Sequence, residues 1–402
     1  MGLYVGNKFV IKNGDIIVSA ASSTGIGTTE NKKIKASDAG SSDQFGYSVA
    51  VGSGRIVVGA FNNNVTYNNQ GSAYIFDLDG NEVGILTASI GQTNQYFGNS
   101  VAVGSGKIVI GSRGFSSNKG AAYIYDLDGT NENRITASDG AASDQFGRSV
   151  AVGCGKVVVG SYDDDVNSNI DQGSVYIYDL DGTNENRITA SDGGGYDRFG
   201  NSVAVGCGRI VVGSSLDDDN GEASGSAYIF DLNGNQLAKI TASDGATNDA
   251  FGSSVAVGSG IIVVGAPYDD DNGDASGSAY IFDLNGNQLA KITPSDGAAD
   301  DWFGYSVAVG SGRIVVGAYR DESITGSAYV FDLDGNQLSK INASEGDAND
   351  SFGISVAVGN SRIVAGAHFD YGVGNQEGSA YMWKIDKTLS DYYDDIVDNY
   401  RY

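Results

Sequence analysis

The chain has 402 residues, a formal net charge of −26, 60 glycines, 2 prolines, 2 cysteines and 1 histidine. That charge excludes nucleic acid and anionic membrane surfaces as partners, since both need clustered Lys and Arg, and a hydrophobic share of 41% excludes a disordered chain. No stretch approaches the roughly 20 apolar residues of a membrane span, so no membrane insertion is expected.

Residues 1–29 form a lead-in. Met1–Lys8 has no charged segment followed by an apolar core, so no secretory signal is expected there. Lys8–Ala20 predicts a hairpin turning at Asn13-Gly14; either it packs beside the main fold or it is part of an incomplete extra unit. From residue 30 the chain is repetitive. The pattern Asp-x-Phe-Gly-x-Ser-Val-Ala-Val-Gly recurs with Phe-Gly pairs starting at Phe45, Phe97, Phe146, Phe199, Phe251, Phe303 and Phe352, at spacings of 52, 49, 53, 52, 52 and 49 residues. A fixed period of this size means supersecondary units that bury their apolar faces only against neighbours.

One unit shows the grammar of all. Ser254–Gly258 alternates small and branched residues, Ile261–Ala266 is a short apolar run, Gly277–Asp283 alternates again, and Gln288–Thr293 closes the unit. Each segment is strand-length and too short for a helix. Four strands repeated seven times predict an all-β, seven-bladed β-propeller of four-stranded antiparallel blades spanning residues 30–385. Small residues on the first strand and aromatics on the third suit wedges that are crowded at the axis. The Phe of Phe-Gly is expected to plug between blades, and the Asp two residues earlier (Asp43, Asp144, Asp197, Asp249, Asp301, Asp350) to accept backbone N–H bonds in the inter-blade turn. The last unit lacks a closing strand, and the missing Lys-Ile-x-Ala-Ser pattern stands at Lys32–Ser37, so an N-terminal strand should complete the ring. Residues 386–402 are an acidic, Tyr-rich tail outside the repeat. Cys154 and Cys207 occupy one position in adjacent units, too far apart for a disulfide.

The Phe-Gly and Gly-Ala pairs, with Gly265-Ala266-Pro267 as the fullest copy, resemble FG-GAP repeats, the blades of the integrin alpha-subunit propeller. The near-identity of the copies is similar to repeat proteins of marine bacteria and their phages. The resemblance implies an extracellular recognition platform. The family often carries a calcium loop between the Phe-Gly and Gly-Ala-Pro strands, but here that connection is cut to Gly-Ser-Gly, Gly-Cys-Gly or Gly-Asn-Ser. Three residues cannot wrap an ion that wants six to eight oxygens. Acidic clusters elsewhere, Asp217-Asp218-Asp219 and Asp269-Asp270-Asp271, are the candidate Ca2+ ligands, with a solvated turn as the alternative. No cofactor is required. The Asp-Leu-Asp-Gly segments at Asp77, Asp126, Asp179 and Asp332 are expected to be hairpin turns.

In such a meander the loops between second and third strands share a face with the blade-to-blade loops, and they carry the variation. Variable loops on a rigid ring are where recognition usually sits. Units 6, 7, 1 and 2 supply Tyr319, Arg320, His368, Phe369, Tyr371, Phe61, Tyr67, Arg113, Phe115 and Lys119. Aromatics give rigid contact area while Arg and Asn give directed hydrogen bonds, which suits a glycan or protein epitope. Little supports catalysis: there is no Ser-His-Asp spacing and no His/Cys metal cluster, although a glycan-active enzyme would need only two carboxylates. The expected function is a non-enzymatic recognition or structural module. A phage virion protein (tail fibre, receptor-binding or decoration protein) is favoured, with the lead-in hairpin and tail as attachment points to other virion proteins. A secreted or cell-surface, calcium-assisted bacterial adhesin is the alternative.

Overall fold

Apolar runs of five or six residues punctuated by glycine turns fold as the sequence dictates: seven four-stranded antiparallel sheets, each ordered first to fourth strand from the axis outward. The computed structural model describes residues 9–12, 15–18, 26–27, 29–371 and 376–385. In blade 1 the strands are Ser48–Gly52, Arg55–Ala60, Ser72–Phe76 and Glu82–Leu86. Blade 7 takes Phe352–Gly359, Arg362–Ala367 and Ser379–Lys384 from the end of the chain, and Lys32–Ile34 from its beginning. Lys32, Lys33 and Ile34 pair antiparallel with Met382, Tyr381 and Ala380, which closes the ring as expected. Phe9–Lys12 and Asp15–Val18 form a separate two-stranded sheet, so the hairpin is real and adds no strand to any blade. The turn at Asn13-Gly14 and the tail Asp386–Tyr402 lie outside the described residues.

The core is distributed over the seven blade-to-blade interfaces rather than gathered at a centre. Each apolar cluster combines residues of two neighbouring blades: Val57, Ala73 and Ile75 of blade 1, for example, pack with Phe97, Ile108 and Tyr123 of blade 2. Every Phe of a Phe-Gly pair is fully buried. Its ring meets the Tyr of its own third strand edge-on, with centroids 5.2–5.6 Å apart, a favoured aromatic geometry.

The Phe-Gly backbone is bound to the blade before it. The Phe45 amide donates to Glu377 O at 3.0 Å, and the equivalent bond recurs at Phe97, Phe146, Phe199, Phe251, Phe303 and Phe352. The first-strand serine, expected only to be small, also has a bonding role. Ser48, Ser100, Ser149, Ser202, Ser306 and Ser355 each donate from Oγ to the Phe-Gly glycine carbonyl of the next blade, at 2.8–2.9 Å. The glycine of Gly-Ala lies against that same carbonyl. A Cβ on Gly366 would fall 1.8 Å from Gly46 O, and the corresponding values in the other blades are 1.9–2.1 Å. Only glycine fits there.

The connection from first to second strand is two residues long in every blade, for example Ser53-Gly54 and Cys207-Gly208. Cys154 and Cys207 remain thiols in these turns. The Asp-Leu-Asp-Gly segments are turns as well: Asp77 Oδ1 accepts the Asp79 and Asn81 amides at 2.9 and 2.8 Å.

The interface between blades 7 and 1 joins the two ends of the chain, so it tests this packing most sensitively. Gly366→Ala should remove several kcal/mol of stability or abolish cooperative unfolding, whereas Ser355→Ala should cost about 1 kcal/mol. Urea denaturation of both variants checks this, and a Gly366→Ala protein as stable as the parent would contradict it.

Candidate functional site: the axial face

The ring has two unlike faces. The turns between first and second strands and between third and fourth strands make one, short and repetitive. The blade-to-blade segments and the loops between second and third strands make the other. Three positions per blade border the repeated framework on this second face: the residue before Phe, the residue after Phe-Gly, and the residue after Gly-Ala or Gly-Ser. Sequence reading singled out the loops and passed over the first two, because each is a single variable residue inside the most regular part of the repeat.

The residues after Phe-Gly are Tyr47, Asn99, Arg148, Asn201, Ser253, Tyr305 and Ile354. With the first-strand serines and valines they line an axial cavity of about 370 Å3. The residue before Phe has a left-handed backbone in all seven blades, with φ of 54–58°. That conformation costs an ordinary residue roughly 1–2 kcal/mol and would suit glycine. The chain nevertheless places Gln44, Tyr96, Gln145, Arg198, Ala250, Trp302 and Ser351 there.

These side chains build an aromatic wall with cations on it. In blades 5 and 6, Trp302 meets Tyr268 at 4.8 Å and Tyr319 at 5.5 Å, Tyr319 meets Tyr305 at 4.6 Å, and the Arg320 guanidinium lies 4.4 Å from the Trp302 ring centre. Across blades 7, 1 and 2, Tyr47 contacts His368 at 5.6 Å and Phe61 at 4.4 Å, Phe61 contacts Tyr96, and Arg113 sits 5.0 Å over Tyr96. Between blades 3 and 4, Arg148 and Arg198 flank Tyr162 at 5.4 and 5.3 Å. The aromatic arc therefore reaches further around the ring than the sequence-predicted blades 6, 7, 1 and 2. Burial pushes the Tyr305 hydroxyl up to about 12, with Tyr47 adding to the rise and Arg148 opposing it. Tyr305 is therefore a neutral hydrogen-bonding group at physiological pH.

The ten residues chosen from the loops divide by depth. Tyr67, Tyr371 and Lys119 are exposed, and Arg113, Tyr319, Arg320 and Phe369 are half-buried. Tyr319, Arg320, Phe369 and Tyr371 meet around a second cavity of about 420 Å3 between the loops of blades 6 and 7. Phe61, Phe115 and His368 are 9%, 9% and 5% exposed, so they form the floor of the face and not its surface. Phe115 joins the core between blades 1 and 2 under the Arg134 guanidinium. His368 lies between Tyr47 and Phe369; burial lowers its pKa to about 3, so the imidazole is neutral.

The acidic loops lie farther out, above the third and fourth strands, and each is organised by a cation of the chain itself. In blade 5 Lys291 Nζ is 2.8 Å from Asp244, 3.0 Å from Asp269 and 2.6 Å from Asp271. Lys239 does the same for Asp192, Asp217 and Asp219 in blade 4, and Lys340 for Asp296, Asp321 and Glu322 in blade 6. In blade 7 the cation comes from the N-terminal strand, as Lys33 beside Asp370. Asp217 and Asp269 also accept the hydroxyls of Tyr228 and Tyr280, both at 2.9 Å. Burial works against the Lys291 ammonium, but its bonds to Asp244, Asp271 and Asp269 outweigh that and raise its pKa. Of the proposed ion ligands, then, Asp217, Asp219, Asp269 and Asp271 converge on a lysine, while Asp218 and Asp270 turn away to bind the Ala223 and Ala275 amides. Asp244, Asp269 and Asp271 are close enough together to hold an ion, but an ion there would have to displace the ammonium. The signal in the sequence was the Lys of Leu-x-Lys-Ile in the fourth strands of blades 4, 5 and 6, spaced to face the acids.

The Asp of Asp-x-Phe-Gly behaves as expected. Asp43, Asp249, Asp301 and Asp350 each accept a backbone amide three residues upstream at 2.7 Å. Burial holds these carboxyls above the ordinary range. Asp249 reaches about 6, the Ala246 amide opposing burial while Asp269 and Asp270 add to it.

The FG-GAP repeat model matches seven consecutive stretches of the chain: residues 28–76, 81–125, 130–178, 183–230, 235–282, 287–331 and 336–383. The chain belongs to the FG-GAP repeat family. Each family unit is offset from the blades, beginning with the fourth strand of one blade and ending with the third strand of the next. The first FG-GAP unit therefore supplies Lys32–Ile34 to the blade that the last unit leaves open. No curated protein matches the chain.

Removing the internal cation should expose how these FG-GAP loops are neutralised. Lys291→Ala leaves Asp269 buried beside two further carboxylates and should cost about 3 kcal/mol. Millimolar Ca2+ should restore much of that loss in the variant and leave the parent's melting temperature nearly unchanged. Thermal melts with Ca2+ or chelator check this; a Ca2+-dependent rise in the parent would show that the ion displaces the lysine.

Proposed function

We propose that this FG-GAP propeller is a non-enzymatic recognition module of a virion, held to the particle through its turn face and presenting its axial face to a host-surface glycan or protein. The observation that carries the reading is the placement of the chain ends. The last described strand, Ser379–Lys384, runs towards the turn face, and Ile385 donates its amide there to Ser361 O at 3.0 Å. Ile26 bridges Ile385, so the chain at Ile26 lies on the same side. The residues that differ between blades gather on the opposite side. A tether on one face and varied aromatic and arginine side chains on the other is the layout of a presented binding surface.

The chemistry favours binding over catalysis. The acids that cluster are engaged by Lys or Arg, and the one histidine is buried and neutral. Exposed Tyr67 and Tyr371 with half-buried Arg113, Tyr319 and Arg320 supply flat contact area and directed donors.

Attachment of the labelled protein to host cells tests this. A variant with Tyr67, Arg113, Lys119, Arg320 and Tyr371 changed to alanine should lose at least about tenfold in attachment while keeping its melting temperature within a few degrees, because none of the five is a core residue. Replacing Asn233 and Asn285 on the turn face should change nothing. Undiminished attachment of the first variant, or loss in the second alone, would overturn the assignment of faces.

A further inference from the structure

Among the described residues, Arg148 is the one cation that lines the axial cavity. In a chain of net charge −26, its guanidinium meets the ring and hydroxyl of Tyr162, and has no carboxylate partner among the described residues. Arg198, beside the same ring, pairs with Asp163 at 3.3 Å. The cavity wall is otherwise neutral and mostly pre-ordered. Asn99 spends its amide on Gly147 O and Arg148 O, at 3.0 and 3.1 Å. Asn201 donates to Ser253 O at 3.2 Å, leaving its Oδ1 to accept. No protein group among the described residues hydrogen-bonds the Tyr47 or Tyr305 hydroxyl. One planar cation, two phenols and an amide oxygen thus converge on a cavity at the lower end of the size range of small-ligand sites.

We propose that the axial cavity binds a carboxylated sugar unit, with the Arg148 fork taking the carboxylate and Tyr47, Tyr305 and Asn201 the ring hydroxyls. This rests on the recognition reading above and narrows its ligand to an acidic glycan. Arg is suited to planar, bidentate capture of one carboxylate. A single cation does not suit a densely charged polyanion such as nucleic acid or a heavily sulfated chain, which the net charge would repel. A sugar carrying one carboxylate per ring meets one arginine and otherwise needs neutral donors and acceptors, which is what the wall offers.

Titration calorimetry with trigalacturonate and with its carboxyl-reduced, neutral counterpart tests the proposal on the full chain. The acidic trisaccharide should bind and weaken as salt rises, and the neutral one should bind at least about tenfold less. Arg148→Gln should lose at least about tenfold in affinity with an unchanged melting temperature, and Arg148→Lys should recover part of it. Equal binding of the two sugars, an unaffected Arg148→Gln protein, or no trigalacturonate binding at about 10 mM would each overturn it. Preferential binding of a short peptide with a free C-terminal carboxylate would overturn it in favour of a protein ligand. Cell attachment separates the two readings. If Arg148→Gln attaches normally while the five-residue rim variant does not, recognition stands and the acidic-glycan assignment falls; if neither loses attachment, both fall.

Discussion

The insertion of each Phe-Gly turn into the blade before it is the constraint on which the rest of the structure depends. Three contacts meet at that turn. The Phe ring fills the interface under its own tyrosine, its amide donates to the preceding blade, and the glycine carbonyl accepts a serine hydroxyl while lying against a glycine. A bulkier residue at either glycine would wedge the blades apart. The turn can adopt this shape only if the residue before Phe takes a left-handed backbone, and that same turn directs this residue and the one after Phe-Gly to the axial face. Packing thus fixes the backbone of the axial face while leaving its side chains free to differ.

The second organising interaction is electrostatic. A chain this acidic would repel itself if its loop carboxylates stood alone, and the buried Asp217, Asp269 and Asp321 would be costly unpaired. In blades 4, 5 and 6 one fourth-strand lysine gathers a carboxylate from each of two loops, and the third-strand tyrosine adds a hydroxyl. The arrangement ties the outer strand to the loops around it and confines negative charge to the outer part of the face. The axial part is left to aromatic rings and arginines, which is why a basic, aromatic mouth coexists with a net charge of −26.

The fold was almost fully legible from the residues, since four-strand grammar, tight turns and a displaced closing strand are local patterns written seven times. The site was legible only in part. Tyr319, Arg320, Phe369 and Tyr371 could be named from loops that refuse to repeat, and they do meet around one cavity. Phe61, Phe115 and His368 were named for the same reason and are floor residues, because variability in a loop does not say which way a side chain turns. Tyr47, Arg148, Tyr305 and Trp302 escaped notice because each is one variable letter inside an otherwise regular motif. The acidic triplets suggested an ion because sequence alone does not place a lysine from a strand 22 residues away between them.

The central claim is that the varied axial face engages the ligand while the repetitive turn face is tethered. Hydrogen–deuterium exchange of the protein with and without host envelope fragments measures it most directly. Peptides carrying Tyr47, Tyr96, Arg148, Trp302–Tyr305 and Tyr319 should become protected, and those carrying the turns at Ser53-Gly54, Cys154-Gly155 and Cys207-Gly208 should not. Protection confined to the turn face would contradict the account.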